Sequence, residues 1–168
     1  MEKQERAAWR CNYRLSKYQE DIAPWQGQED EFHRLFTPYA IIKGEGNCLL
    51  NSGIDEMWDL IAGDSANHFN NATAQVGIGD SSTAAVASQT DLQAATNKTY
   101  KGMESGYPTS ATQKATFKSS FGASEANYVW NEWVVKQSAS AKCLNRKVDA
   151  MGTKSGGTWT LEVSITLS

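Results

Sequence analysis

Hydrophobic and polar residues alternate without a break from Thr158 to Ser168. Trp159, Leu161, Val163, Ile165 and Leu167 fall on one side of this stretch, and Thr158, Thr160, Glu162, Ser164 and Thr166 on the other. Period-2 alternation with β-branched residues on both sides predicts a strand with one buried and one wet face. At ~3.3 Å per residue it spans roughly 36 Å, so it needs partners along its whole length. Candidate partners lie upstream. Ala74, Val76 and Ile78 alternate into the loop Gly79–Thr83, and Ala115, Phe117, Ser119 and Phe121 alternate ahead of a Gly122-Ala-Ser turn. Tyr39–Lys43 and Thr99–Met103 read as shorter strands, the first ended by Gly44-Glu-Gly46 and the second followed by a turn at Gly106-Tyr-Pro108. Lys142–Asp149 reads as another, with Gly152–Gly157 turning into the final strand. In Asn127–Lys136 both sides are bulky, which predicts a central strand covered on each face.

Helical spacing is rarer. Ala8, Cys11, Leu15 and Tyr18 predict a short amphipathic helix over roughly 3 to 19, broken by Pro24. Trp25 and Gly27 lie in a connector, and Phe32, Leu35 and Phe36 suggest a further helical turn before Pro38. Asn47–Ala62 predicts a longer helix with Leu50, Ile54, Met57, Trp58 and Ile61 as its apolar stripe and Gly63 as its left-handed stop. Gly53, costing ~1 kcal/mol inside a helix, favours a late start capped by Asn51 or Ser52. Asp91–Thr96 suggests a single turn. The expected fold is mainly β: an antiparallel β-sandwich or barrel with one packed helix and an N-terminal, partly helical arm. The arm covers 1–38 and the β domain 39–168.

With 168 residues, the chain fits one domain plus an appendage. Its formal charge of −3 and the lack of any Lys or Arg run disfavour a nucleic-acid surface. Nothing approaches a membrane-spanning apolar stretch, and Met-Glu-Lys-Gln-Glu-Arg lacks the apolar core of a signal peptide. Cys11, Cys48 and Cys143 are odd in number and widely spaced, so reduced thiols, as small packed hydrophobes in a chain made in a cytoplasm, are expected. Asn71-Ala-Thr and Asn97-Lys-Thr match the glycosylation sequon but carry little weight without secretion.

Candidate chemistry is sparse. His33 and His68 sit in different regions, in no metal-ligand pattern, and no G-x-S-x-G elbow places a serine nucleophile. Gly77-Ile-Gly79-Asp80 lacks the third glycine and the following helix of a dinucleotide fingerprint and reads as a tight turn. Asp80 with Ser81 and Ser82 offers too few carboxylates for a calcium cage, and Glu29-Asp-Glu31 reads as a solvated helix start. No catalytic residue, metal or cofactor is therefore expected, and an enzyme is the least favoured class. The six tryptophans divide. Trp58, Trp130 and Trp159 sit on apolar faces and are expected in the core, whereas Trp9 and Trp25 lie in the arm. Aromatic side chains there must dock on the domain or anchor a protein contact, which makes Trp9, Tyr13, Trp25, Phe32 and Phe36 the candidate interface residues.

Several stretches carry a resemblance. Asn47-Cys-Leu-Leu-Asn-Ser-Gly53-Ile, Trp58–Gly63 and Val76-Gly-Ile-Gly-Asp-Ser-Ser-Thr83 resemble a pattern in small virion proteins of tailed bacteriophages. In that pattern an N-L-L-x-x-G helix precedes an I-G-x-G-D/T-x-T strand and loop. Trp130-Asn-Glu132-Trp133 and the closing Gly157–Leu167 match its last two strands. The resemblance covers roughly 39 to 168 and leaves the arm outside it. It implies a capsid decoration (cement) protein that binds the major capsid protein or other virion proteins as a homo-oligomer, a trimer suiting local three-fold positions. It also implies residence in the virion, without nucleic-acid or membrane contact. A neck, tail or fibre component is the alternative within the same class. A receptor- or sugar-binding β module is the alternative outside it.

Overall fold

A computed structural model describes residues 7–168, in which ten strands form two antiparallel five-stranded sheets. In chain order the strands are β1 (Trp9–Tyr18), β2 (Ala40–Glu45), β3 (Cys48–Leu49), β4 (Ala74–Gly79), β5 (Lys98–Gly102), β6 (Thr109–Ala111), β7 (Lys114–Phe121), β8 (Val129–Gln137), β9 (Cys143–Thr153) and β10 (Thr158–Leu167). The helices are α1 (Glu29–Leu35) and α2 (Asn51–Ala62), with a 3-10 turn at Ala23–Trp25. Sheet A runs β2-β1-β10-β7-β6 and sheet B runs β3-β9-β8-β4-β5. This is a β-sandwich.

The closing strand is the middle of sheet A. β10 pairs along its length with β1 on one side, from Tyr18↔Thr158 to Trp9↔Leu167, and with β7 on the other. Its odd-numbered residues Trp159 to Ile165 face sheet B, where Trp130 lies edge-on to both Phe121 (5.0 Å between ring centroids) and Trp159 (4.9 Å). β8 lies between β9 and β4 and is covered on both faces, as its bulky sides predict. Trp130, Trp133 and Val135 join the inter-sheet core, while Val134 packs outside with Leu50, Leu92 and Cys143.

The N-terminal helix expected over 3–19 is a strand from Trp9 to Tyr18; residues 3–6 lie outside the described residues. Cys11, Tyr13 and Leu15 alternate buried against exposed Arg10, Asn12 and Arg14, and backbone pairing to both β10 and β2 overrides the weaker helical spacing. β1 is therefore internal to sheet A, rather than part of an arm standing off it. Only α1, expected before Pro38, is helical in that region, apart from the 3-10 turn. Asp91–Thr96 forms no helical turn; it belongs to a long irregular loop between β4 and β5.

α2 forms, but rotated about its axis: of the expected apolar stripe Leu50 is buried and Met57 packs against the inter-sheet core, while Trp58 and Ile61 face out. Gly53 lies inside it, packed on the Leu144 backbone where a Cβ would collide with the carbonyl oxygen. Gly63 stops the helix at φ 82°, donating its N–H to Asp59 O. The buried side is Gly53 and Glu56, the latter paired with Lys142 Nζ at 2.9 Å. Trp58, expected in the core, is 64 % exposed and Ile61 75 % exposed.

Candidate functional site

Residues 19–39, between β1 and β2, form a strap across one end of the outer face of sheet A. Its apolar anchor is Phe32, fully buried against Tyr18 and Ile22, with Trp25 and Phe36 half-buried around it. The Phe32 ring meets Tyr18 edge-on at 5.1 Å and Phe36 at 5.0 Å. Beneath α1 lies a buried polar hub. His33 Nε2 is 2.9 Å from Glu104 Oε1, and His33 Nδ1 is 3.1 Å from the Tyr18 hydroxyl. Ser120 Oγ donates to the same carboxylate, and Lys118 Nζ stands 3.1 Å from Glu104 Oε2. Burial alone pushes the Glu104 carboxyl up, but His33, Lys118 and Ser120 outweigh it and hold it below the usual carboxylate range. Lys118 is in turn raised, its burial outweighed by the charge of Glu104.

A histidine, a carboxylate and a serine here do not make a nucleophilic triad. Ser120 and His33 both bind the carboxylate, and Ser120 otherwise contacts Thr160, so the hydroxyl meets the carboxylate and not the imidazole, and the serine–histidine contact of a triad is missing. The hub ties strap to sheet. Beside it opens a cleft of about 640 Å³ lined by Glu29, Asn71, Lys101, Glu104, Ser120 and Glu125 among others, with Lys101 and Glu125 paired across it.

Two further networks hold the loop between β4 and β5 onto sheet B. Arg146 and Glu132 are fully buried, with Nε donating to Oε2 at 2.7 Å. Glu132 accepts the backbone N–H groups of Gln93 and Ala94, while Arg146 donates to Gln89 Oε1 and to the Thr83 carbonyl. Asp91 accepts from Leu92 N, the Tyr100 hydroxyl and Lys136 Nζ; these outweigh its burial and hold its carboxyl below the usual range. Gly77 and Gly79 are explained by packing: side chains there would collide with Tyr100 and Val134 and with Glu132. The glycines serve sheet packing, and Asp80 accepts from Asn97 Nδ2. Among the described residues no three metal-ligating side chains gather. The cysteines are free: Cys11 and Cys143 are buried, which raises both thiols, Cys11 to about 12. Lys154, also buried, donates to Gly122 O and Asn127 Oδ1; burial pulls its ammonium down to about 8.

The five candidate interface residues separate. Tyr13 is buried between the sheets, edge-on to Trp133 at 5.7 Å, its hydroxyl donating to Asp149 at 2.6 Å. Trp9, half-buried, donates Nε1–H to Asn47 Oδ1 at 2.9 Å, far along β1 from the strap. Trp25, Phe32 and Phe36 are brought together, with Phe32 inside the cluster. The large apolar side chains presented to solvent are others: Leu35 (50 % exposed) and Tyr39 (55 %) on the strap and Trp58 and Ile61 on α2, with Ile41, Val86 and Leu167 exposed singly elsewhere. Leu35 and Tyr39 flank Phe36 and Pro38, so a scan for apolar residues on both sides of a breaker would have reached them.

No family model matches the chain, and no curated protein or solved structure matches it significantly.

Proposed function

We propose that the chain is a bacteriophage virion structural protein, a decoration protein that packs against the major capsid protein lattice through its strap. The sequence resemblance of 39–168 supports the class. The observation that carries the contact is that Leu35 and Tyr39 stay outside on a segment otherwise tied down by Phe32 and the Glu104 hub. Apolar side chains on an already ordered element lose little freedom when a partner covers them. Trp25 and Phe36 widen that surface at its half-buried edge, and Phe32 supports it from behind. A β body that works by occupying surface needs no reactive centre, and repetition over a lattice multiplies weak contacts.

Deleting 1–38 is no test, because it removes β1 from the interior of sheet A. Surface substitution is. Purified protein is co-sedimented with particles of the encoding phage stripped of this chain. The wild type binds saturably, and Leu35→Asp/Tyr39→Asp binds at least about tenfold more weakly (about 1.4 kcal/mol) with unchanged thermal unfolding. Wild-type binding by the double variant would remove the strap from the reading. Absence of the chain from purified virions would remove the virion role.

A further inference from the structure

The wet face of sheet A and the outer face of α2 are opposite in charge. The strand register sets Lys43, Arg14, Glu162 and Lys118 in one row across four strands, and Glu45, Asn12, Ser164 and Thr116 in the next. Arg10 and Lys114 flank Thr166 beyond them. Lys118 is engaged by Glu104. Arg10, Arg14, Lys43 and Lys114 are exposed and form no ion pair among the described residues, with Glu45 and Glu162 the acidic residues in those rows. On a chain of net charge −3 this is a basic face. It is edged by exposed Ile41, paired to Ser16 one row above Lys43.

α2 is the converse. It holds no Lys or Arg, and of its three carboxylates Glu56 is buried and shares Lys142 of the β8–β9 turn with Asp59, while Asp55 is exposed and in no ion pair among the described residues, so one ammonium faces three carboxylates. The helix lifts Trp58 and Ile61 into solvent with Asp55 one turn before Trp58 and Asp59 directly after it. An exposed indole is best covered by a cation, a guanidinium most often, and adjacent carboxylates strengthen that preference.

We propose that α2 of one copy docks on the wet face of sheet A of a second copy, with Trp58 covering the Arg14–Lys43 pair. The contact is heterologous. Two α2 faces meeting about a two-fold axis would bring two acidic surfaces together, and two sheet faces would bring together surfaces on which Arg10, Arg14, Lys43 and Lys114 outnumber Glu45 and Glu162. The mixed arrangement sets a net acidic surface against a net basic one, and repeated it yields a ring or an open chain. The inference goes beyond the virion role and is independent of it: it uses neither Leu35 nor Tyr39 and is tested on isolated protein.

The test is complementation. Full-length wild type, Trp58→Asp and Arg14→Glu/Lys43→Glu are run by analytical ultracentrifugation over a concentration series, with circular dichroism confirming the fold of each. The wild type associates and dissociates in concentrated salt. Each variant alone is monomeric, and an equimolar mixture of the two forms a dimer, because one retains an intact sheet face and the other an intact α2. A monomeric wild type at every concentration, a variant that still associates, or a mixture that stays monomeric would each overturn the proposal. Trp58→Ser and Arg14→Gln/Lys43→Gln serve in the same scheme should a charge reversal disturb folding.

Discussion

Arg146 and Glu132 show how much one buried side chain decides. Both are fully shielded from water, and every contact they make fixes either β8 to β9 or the loop between β4 and β5 to the sheet. Removing one partner leaves the other as an uncompensated buried charge. Arg146→Leu is therefore expected to destabilise the fold by about 3–5 kcal/mol in chemical denaturation. The double variant Arg146→Leu/Glu132→Leu recovers part of that loss, because no charge is then stranded. A double variant less stable than Arg146→Leu alone would show that the backbone bonds to Gln93 and Ala94, and not the charge pair, carry the effect. Limited proteolysis separates the cases, since the loop is cut early whenever Glu132 is missing.

Elements respond to their orientation, and α2 is the clearest instance. Trp130 and Trp58 are both tryptophans on apolar stripes, yet Trp130 is sealed between the sheets and Trp58 is open. Trp130→Ala is expected to cost about 3–5 kcal/mol and Trp58→Ala less than about 0.5 kcal/mol, read from denaturant midpoints. Gly53→Ala, on the hidden side of the helix, falls between, because the new methyl meets the Leu144 backbone and must displace it. The existence of α2 was legible from its stripe and its Gly63 stop. Its facing was legible only in part: Leu50 and Met57 pack inward as the stripe predicts, but the Gly53–Leu144 contact and the Glu56–Lys142 pair, which join residues far apart in the chain, turn Trp58 and Ile61 outward. β10 was fully legible, its alternation having no helical competitor. β1 carried both periods at once, with Ala8, Cys11, Leu15 and Tyr18 at helical spacing and Cys11, Tyr13 and Leu15 at strand spacing, and only the partner strand decides between them. The β6–β7 hairpin escaped detection because Thr112 and Gln113 occupy the left-handed region, at φ 52° and 63°, where Asn or Gly would have announced the turn. The strap's aromatic cluster was partly visible as Trp25, Phe32 and Phe36. Its polar tether was not, since His33 and Glu104 are brought together only by the folded sheet.

At the scale of the molecule, the sandwich body and its two coverings rest on different physics. The body is held by apolar burial between sheets and by the first-to-last pairing of β1 with β10, neither of which titrates. The strap and the β4–β5 loop are each tethered by a carboxylate held below its usual range, Glu104 and Asp91 respectively. A depressed carboxylate contributes stability that is present above its unfolded pKa, ~4, and lost as pH falls through its folded pKa. Acidification is therefore expected to leave stability flat down to about pH 4 and to lower it below that. Amide exchange should rise first in 19–39 and 80–97 while β8 and β10 stay protected, because those coverings carry the titrating tethers. Glu104→Gln keeps the shape and removes the titration. That variant starts with a lower melting temperature at neutral pH and loses less on acidification, and its strap exchanges faster throughout. An acid limb as steep in Glu104→Gln as in the wild type would assign the acid sensitivity to groups other than the strap's carboxylate tether.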